Sequence, residues 1–303
     1  MPDAPCRESR ALFWDDYSPG MEWLTPARTV TRADIALWSQ YTGAAPYLPD
    51  GGEGGCLLPQ AAFAIATGLE QRLGLKDGTG LAFLSARFAC PRPIPAGTTL
   101  MVRQQLTERM ETRNPERGLL RFAVRLEDHG RHVYQDGEWL LMVRRRAGAA
   151  AATPGHKARA AGAGAPPGAD MVRSPWRTVT SADILRGSQL SGDYNPVHTD
   201  DGAARAAGFA GPILQGPAGA AIAAGLLSRL QGFDDGQAEI AAVDWTFHRP
   251  ILAGMNVRLE AGRSADPARP GRETLHLALL DRDGEKLQSG DWTIRRHQRV
   301  PMP

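Results

Sequence analysis

The sequence predicts an α+β protein made of two copies of one domain, and three observations support this prediction. The first is an internal repeat: Arg28–Ile35 (RTVTRADI) returns as Arg177–Ile184 (RTVTSADI), identical at seven of eight positions. The second is that each copy continues into a run of small and aliphatic residues typical of a buried helix. The third is that a series of strand-like segments follows that helix in each copy, an order that favours α+β over alternating α/β.

The repeat extends along the whole chain. Arg92–Gly97 (RPIPAG) matches Arg249–Gly254 (RPILAG), and Gln135–Trp139 (QDGEW) matches Gln288–Trp292 (QSGDW). The first pair of matching segments is 149 residues apart, whereas solenoid repeats have periods of roughly 20–50 residues, so the copies are whole domains.

These matches divide the chain into a first domain at residues 1–146, a linker at 147–174 and a second domain at 175–303. Ala, Gly and Pro dominate the linker, and large apolar residues are nearly absent from it. We therefore expect the linker to stay flexible or loosely draped rather than build a core. Each domain is long enough to bury a core of its own.

Each copy begins with a short helix and continues with a long one. Thr31 with Asp34, and Thr180 with Asp183, have the spacing of a capping box with Asp in place of Glu. The long central helices are predicted at residues 59–73 and 216–230. The predicted strands lie at residues 80–88, 99–108, 119–127 and 132–144 of the first copy and 239–247, 257–261, 274–281 and 286–295 of the second. One buried helix wrapped by a curved antiparallel sheet is the hot-dog arrangement, so the chain is predicted to be a double hot-dog.

The composition excludes several classes of protein. A formal charge of +2 over 303 residues leaves no electrostatic footprint for nucleic acid. The three cysteines, Cys6, Cys56 and Cys90, are an odd set without zinc-type spacing, which indicates a reducing compartment. The start of the chain lacks the apolar core of a signal peptide, and no apolar run of about 18 residues occurs. We expect a cytoplasmic protein with neither a membrane nor a nucleic acid as partner.

The stretch Ser191–Asp200 (SGDYNPVHTD) is the best candidate for a reactive site. Pro196 blocks helix continuation and pushes Asn195 towards extended geometry, which favours a turn. Such a turn can fold Asp193 and His198 back towards a common point, where they can hold one water or one substrate proton. The competing interpretation is a capping Asp, a turn Asn and an ordinary surface His.

Together with the following Ala207–Gly216 (AGFAGPILQG), this stretch resembles the MaoC-like, (R)-specific enoyl-CoA hydratase/dehydratase family. The signature of that family is a Gly-Asp-x-Asn-Pro-x-His turn and, some twenty residues later, a Gly that begins the hot-dog helix. The first half of the chain is similar to the N-terminal domain of double hot-dog members such as mesaconyl-CoA hydratases. The residues that match the signature are Asp193, Asn195, Pro196 and His198 in the turn and Gly216 at the helix start.

The resemblance implies a reaction whose needs these residues can meet. Hydration of a double bond conjugated to a thioester requires a base for water, an acid for the α-carbon and donors for the thioester oxygen. Asp193 and His198 are expected to share the acid–base work. Gly216 is expected to offer its N–H at a helix N-terminus and, lacking a side chain, to permit close approach of the thioester. Asn195 and Pro196 support the turn.

Two residues beside this signature are candidate substrate-binding groups. Gln215 stands where the family often has His; it can orient a substrate or merely fill space, but it cannot titrate. Tyr194 lies within the turn between Asp193 and Asn195. No metal or redox cofactor is implied, and CoA or phosphopantetheine serves as the substrate handle.

The first copy lacks the reactive residues. Alignment of the repeats puts Ala44 opposite Asp193 and, with one deletion that aligns Pro46 with Pro196, Leu48 opposite His198. Pro59 falls opposite Gly216, which removes the N–H. The first domain is therefore predicted to be inactive and to shape the acyl-binding tunnel.

The sequence as a whole predicts a hydro-lyase that hydrates or dehydrates a 2-enoyl or 3-hydroxyacyl thioester, in the first instance a CoA ester. One alternative is a dehydratase for 3-hydroxyacyl chains on an acyl carrier protein, which would then be a partner. Two others are a hot-dog thioesterase and a non-catalytic acyl-thioester-binding protein. A homo-oligomer also stays open, because further pairing is common in this fold.

Overall fold

The computed structural model describes residues 11–44, 47–48, 55–75, 78–146, 171–230, 238–265 and 271–296. Cys6, Pro46 and residues 147–170 of the predicted linker lie outside the described residues. The first half begins with a 3-10 turn at Trp14–Asp16. Its helices and strands are β1 (Glu22–Leu24), β2 (Arg28–Thr29), α1 (Arg32–Thr42), β3 (Cys56–Leu57), α2 (Pro59–Gln71), β4 (Gly80–Ala89), β5 (Ile94–Pro95), β6 (Thr99–Glu111), β7 (Arg117–Asp128) and β8 (Val133–Arg144).

The second half repeats the order of the helices and long strands, with one additional short helix and, in place of the β3–β5 pair, a single bridge between Ile213 and Leu252. A 3-10 turn, Pro196–His198, separates α3 from α4. The helices and strands are β9 (Val172–Arg173), β10 (Arg177–Thr178), α3 (Ser181–Ser191), α4 (Asp201–Ala206), α5 (Gly216–Leu227), β11 (Ala238–Phe247), β12 (Asn256–Ala265), β13 (Arg272–Leu280) and β14 (Lys286–Arg296).

The eight long strands and the two central helices occur where the sequence predicts them, with differences only at their ends. The largest strand difference is at β12, which continues to Ala265 rather than stopping at residue 261. Both central helices end earlier than predicted, because Leu73 N–H bonds to Glu70 O and Leu230 N–H bonds to Leu227 O. These bonds tighten the final turn beyond the α-helical pattern.

Twelve of the described strands form one antiparallel sheet that runs through both halves, and β3 and β5 form a separate pair. The main order of the large sheet is β1-β6-β7-β8-β4-β11-β14-β13-β12-β10, with β2 added beside β6 and β9 beside β12. The halves join where β4 pairs with β11, from Ala89 opposite Ala242 to Ser85 opposite Thr246. The joint leaves neither half with an open strand edge at that position.

The central helices lie in the core. Every residue of α2 from Pro59 to Glu70 is buried, as is every residue of α5 from Pro217 to Leu227. Their many Ala and Gly residues let the helices approach their neighbours closely, because small side chains leave little separation. Aromatic rings fill the remaining space, among them a fully buried pair, Trp245 and Trp292, 5.5 Å apart.

The end of the predicted linker belongs to the sheet. Arg173 pairs with Glu260 and Val172 with Ala261, and Ser174 N–H bonds to Leu259 O at 2.9 Å. The linker therefore ends before residue 172 instead of at 174. The physical reason is that β12 has an open edge here, and any extended chain can satisfy its free backbone groups. No helix in the described ranges has the length and hydropathy needed to cross a bilayer.

Candidate active site

The candidate reactive turn, Ser191–Asp200, follows directly from the end of α3. The predicted capping box is present: Thr180 Oγ1 accepts a hydrogen bond from Asp183 N–H, and the Asp183 side chain accepts from Thr180 N–H. The helix ends at Gly192, whose φ of 84° lies in the left-handed region that favours glycine. This termination reverses the chain direction just before Asp193.

Local hydrogen bonds fix the shape of the turn. Ser191 Oγ accepts from Asp193 N–H at 3.0 Å, and Asp193 Oδ1 accepts from Asn195 N–H at 3.1 Å. Asn195 caps the 3-10 turn that begins at Pro196, its Oδ1 lying 3.4 Å from Val197 N. Asn195 and Pro196 therefore stand at the positions from which they can hold the turn.

The turn brings Asp193 and His198 together in a buried place. Their exposed fractions are 5% and 9%, and His198 Nε2 lies 3.6 Å from Asp193 Oδ2. His198 Nδ1 lies 2.7 Å from Ile213 O. Because a carbonyl only accepts hydrogen bonds, Nδ1 must carry the hydrogen, so in the neutral ring the free lone pair is on Nε2.

The separation of 3.6 Å between Nε2 and Oδ2 is longer than a direct hydrogen bond. A polar contact of this length fits a bridging water. Such a water has two acceptors here, Nε2 of the neutral imidazole and the carboxylate, and its oxygen lone pairs then face away from both. The arrangement suits activation of water.

The environment of Asp193 favours its ionised form. Burial opposes the charge and by itself would raise the pKa of Asp193. The positive charge of protonated His198 and the hydrogen bond from Asn195 N–H outweigh burial and hold the pKa below its ordinary value of 3.8. Beside a protonated His198, Asp193 is therefore a carboxylate.

This lowered pKa predicts how stability depends on pH. A carboxyl whose pKa is lower in the folded state contributes stability that is present above about pH 4 and is lost as the pH falls through the folded pKa. In urea unfolding, the free energy of unfolding of the wild type minus that of Asp193→Asn is expected to decrease as the pH is lowered from 6 to 2. A difference that stays constant or grows over this range contradicts the assignment.

Gly216 begins α5, where its N–H has no acceptor within the helix. Gln288 Nε2 donates to Gly216 O at 3.1 Å and so ties this end of α5 to β14. The expectation that the missing side chain leaves room for a thioester is not met at that point: a Cβ on Gly216 would lie 3.0 Å from Phe247 Cε1. The helix packs so close to β11 that the aromatic ring occupies this space.

Among its described residues, the first half has counterparts of the start of the turn and of the start of the central helix, without the reactive groups. Gly43 ends α1 with φ 73°, and Ala44 N–H lies 3.2 Å from Thr42 Oγ1, as Asp193 N–H lies near Ser191 Oγ. Ala44 therefore occupies the place of Asp193. Pro59, which has no N–H, begins α2 as Gly216 begins α5.

A model of a domain family matches the part of the chain that contains this candidate site. Residues 163–277 match the family model of the MaoC like domain. The chain carries a MaoC-like domain. The predicted resemblance is confirmed for this part of the chain, which includes the reactive turn and the start of α5. No curated protein matches the chain by sequence.

Solved structures resemble both halves of the chain, not only the MaoC-like domain. A Chloroflexus aurantiacus protein described as a MaoC domain dehydratase has a TM-score of 0.79 at 16% identity, over 96% of this chain and 99% of that chain. Rv0216 of Mycobacterium tuberculosis, described as a double hot-dog, has a TM-score of 0.72 at 18% identity, over 94% and 98%. Peroxisomal multifunctional enzyme type 2 of Drosophila melanogaster has a TM-score of 0.66 at 15% identity, over 90% of this chain and 48% of that chain. The predicted double hot-dog fold is confirmed.

Within the MaoC-like domain, the two candidate substrate-binding residues lie in different surroundings. Gln215 is buried, and its Nε2 donates to Ser188 Oγ and lies 3.3 Å from Ile184 O, so its amide nitrogen is directed into α3. Tyr194 is 58% exposed. A role for either residue in substrate binding stays a prediction.

Three residues of the MaoC-like site were not predicted from the sequence. Ser191 holds Asp193 N–H, Ile213 O fixes the His198 ring, and Gln288 holds the start of α5. A signal existed for Gln288 alone, because it lies in the repeated QDGEW/QSGDW segment and Gln135 Nε2 makes the same bond to Pro59 O in the first half. Ile213 acts through its backbone, which no residue pattern identifies.

A Ser–His–Asp chain lies outside the reactive turn. His276 Nε2 is 2.9 Å from Ser264 Oγ, and His276 Nδ1 is 2.8 Å from Asp291 Oδ1. The three residues lie on β12, β13 and β14. The distances suit a hydrolase, but none of the three stands at a helix N-terminus or strand-to-helix turn that would supply oxyanion donors. We interpret these three side chains as a polar network on the sheet.

Proposed function

We propose that the protein is a hydro-lyase that adds water to a 2-enoyl thioester, or removes it from a 3-hydroxyacyl thioester, with CoA as the primary handle. The observation that carries this proposal is the buried turn in which His198, fixed through Nδ1, directs Nε2 towards the Asp193 carboxylate. The MaoC-like dehydratase domain supports a reaction of the hydratase/dehydratase class.

The proposed chemistry uses His198 for both proton transfers. In hydration, a water held between Nε2 and Asp193 attacks C3 while Nε2 takes its proton. The π electrons move onto the thioester oxygen, and the resulting enolate then takes a proton at C2 from the Nε2–H of the imidazolium. The carbonyl re-forms, one water has been added, and the ring is neutral again; dehydration follows the same steps backwards.

Asp193 has a different part from that of a proton donor. When His198 carries its proton, the pKa of Asp193 is held below its ordinary value, so the proton that goes to C2 comes from the imidazolium and not from Asp193. It accepts the second hydrogen of the water, which orients the oxygen, and its negative charge stabilises the imidazolium that forms. This division of labour departs from the expectation that Asp193 and His198 share the acid–base work.

Gly216 is the proposed donor to the thioester oxygen. Its N–H is unpaired within α5, and the helix dipole favours negative charge at that position. The segment that leads into α5 also holds the His198 ring, since Ile213 O accepts from Nδ1. The residue that holds the base, Ile213, is therefore only three positions before the proposed donor, Gly216.

The first half of the chain provides the design for a test of this donor. Leu58, before Pro59, has φ −56° and ψ 136°, and Gln215, before Gly216, has φ −56° and ψ 131°. The double variant Gly216→Pro with Pro217→Gln copies Pro59–Gln60 and removes the N–H from a helix start of the same geometry. Its kcat is expected to be about 100-fold below that of a Gly216→Ala, Pro217→Gln control.

The Ala control matters because it adds a Cβ near Phe247 while keeping the N–H. Any effect of crowding is therefore common to the two variants. Steady-state kinetics on the same substrate give the comparison, and circular dichroism checks that both are folded. Equal kcat values would show that the Gly216 N–H does not act on the thioester.

The proposal as a whole is tested with a panel of thioesters. Purified protein is given crotonyl-CoA, mesaconyl-CoA and longer 2-enoyl-CoAs, and the loss of enoyl absorbance is followed. Turnover of at least one is expected. Turnover only with a carrier-protein-bound chain favours the carrier dehydratase, release of free thiol favours a thioesterase, and binding without reaction favours a non-catalytic protein.

A further inference from the structure

The repeated RTVT-x-ADI segment has a role that crosses between the halves. Arg28 Nη1, in the first half, donates to Leu190 O at 2.8 Å and to Ser191 O at 3.2 Å, at the end of α3 in the second half. Arg177, in the second half, donates in turn to the end of α1: Nη2 to Tyr41 O at 2.8 Å and Nη1 to Thr42 O at 3.0 Å. Each arginine caps the helix of the opposite copy.

The Asp of each capping box holds the arginine in place. Arg28 Nη2 lies 2.6 Å from Asp34 Oδ1, and Arg177 Nη2 lies 2.9 Å from Asp183 Oδ1. These side chains are only 15–19% exposed, so the pairs are shielded from water. In each half, the repeated Thr and Asp therefore cap the start of the short helix. The repeated Arg, held by that Asp, caps the end of the short helix of the other half.

The physical need for such a cap is clear. The last carbonyls of a helix have no partners within it, and a cation is favourable at that end. The planar guanidinium has donors enough to reach two carbonyls and a carboxylate at once, which an ammonium cannot match in geometry.

The central helices press on the same two helix ends. A Cβ on Gly68 of α2 would overlap Ser191 O, and a Cβ on Gly225 of α5 would overlap Thr42 O. Ser191 is thus held from two sides by the first half, at a residue that accepts the Asp193 N–H through its Oγ. In the first half, Thr42 is held in the same way, but its Oγ1 accepts from the N–H of Ala44, which has no reactive side chain.

We propose that Arg28, in the half without the acid–base pair, is a positioning residue for the reactive turn of the other half. Its hydrogen bonds to Leu190 O and Ser191 O fix the end of α3, and Ser191 transmits that position to Asp193. Arg177 makes the equivalent contacts at the end of α1, next to a turn that carries no reactive group. This inference rests on the proposed function for its effect on rate, but not for its effect on the turn itself.

Arg28 and Arg177, which occupy equivalent positions in the two halves, allow a matched test. Arg28→Lys and Arg177→Lys remove the same kind of cap, so they are expected to lower the thermal unfolding midpoint by similar amounts. Arg28→Lys is expected to lower kcat about 10-fold with KM within 2-fold of the wild type, because small displacements of a reacting group are costly. Arg177→Lys is expected to keep kcat within 2-fold. Equal kcat in the two variants overturns the proposal.

A second measurement does not depend on turnover. Amide hydrogen exchange, followed by NMR, is expected to become faster at Asp193 in Arg28→Lys and at Ala44 in Arg177→Lys. If the wild type turns over no thioester but exchange changes in this way, the proposed function is wrong and the positioning of the turn by Arg28 stands. Unchanged exchange at Asp193 in Arg28→Lys overturns the positioning.

Should Arg28→Lys not fold, Asp34→Asn and Asp183→Asn provide the same comparison. Each weakens the hold on one arginine without removing it. Asp34→Asn is then expected to lower kcat and speed exchange at Asp193, and Asp183→Asn is expected to affect only the first-half turn. The reverse pattern, or no difference between the two variants, overturns the proposal.

Discussion

His198→Gln is expected to lower kcat by about 10²–10⁴-fold, the range in which loss of a general acid–base group falls. Glutamine can still donate to Ile213 O through its amide nitrogen, so the local structure has a replacement for the bond that His198 Nδ1 makes. It cannot take a proton from water or return one to C2. The loss should therefore appear in kcat, measured with the best thioester of the panel.

His276→Gln is the matched control for this variant. His276 also has a carboxylate partner, Asp291 at 2.8 Å, and also lies in the second half. Its removal is expected to leave kcat within about 2-fold of the wild type. Full activity in His198→Gln, or an equal loss in His276→Gln, would return the turn to the interpretation of an ordinary histidine beside a capping aspartate.

Asp193→Asn is expected to lower kcat by about 10²–10³-fold, with the fold retained. An asparagine oxygen can still accept from Asn195 N–H, as Asp193 Oδ1 does at 3.1 Å, so the turn keeps its hydrogen bond. What is lost is the negative charge that orients the water and stabilises the imidazolium. The change thus separates the charge of this residue from its part in the turn.

Hydrogen exchange at Asn195 gives the structural control. If Asp193→Asn leaves exchange at the Asn195 amide unchanged while kcat falls, the charge is responsible. Unchanged kcat in this variant would rule out a reactive carboxylate at this position. A fall in kcat accompanied by fast exchange at Asn195 would assign the effect to the turn instead.

The sequence was sufficient for the architecture because its signals were local and duplicated. The two capping boxes begin α1 and α3 as predicted, since each box is a contact between residues three apart in the chain. Alternating side chains located the long strands, and two copies of each pattern reduced the ambiguity of either one. The two-residue strands β9 and β10 were not predicted, because they are stabilised only by pairing with β12.

For the site, the turn and its residues could be predicted but several of their properties could not. The Gly-Asp-x-Asn-Pro-x-His pattern placed Asp193 near His198 because the turn is short. The ring nitrogen that faces Asp193 could not be predicted, because it is set by Ile213 O, fifteen residues further on. The ring of Phe247 against Gly216 was likewise invisible, because β11 meets α5 only in the folded chain.

The sequence by itself therefore determined the duplicated fold, the capped helices and the place of the candidate reactive turn in the second copy. The tertiary structure decided the orientation of the His198 ring, the surroundings of Gly216 and the contacts of Arg28 and Arg177 with the opposite half. The division has a physical reason. Caps, turns and side-chain periodicity depend on neighbours along the chain, whereas the acceptors that fix a ring or a guanidinium are backbone groups brought close only by packing.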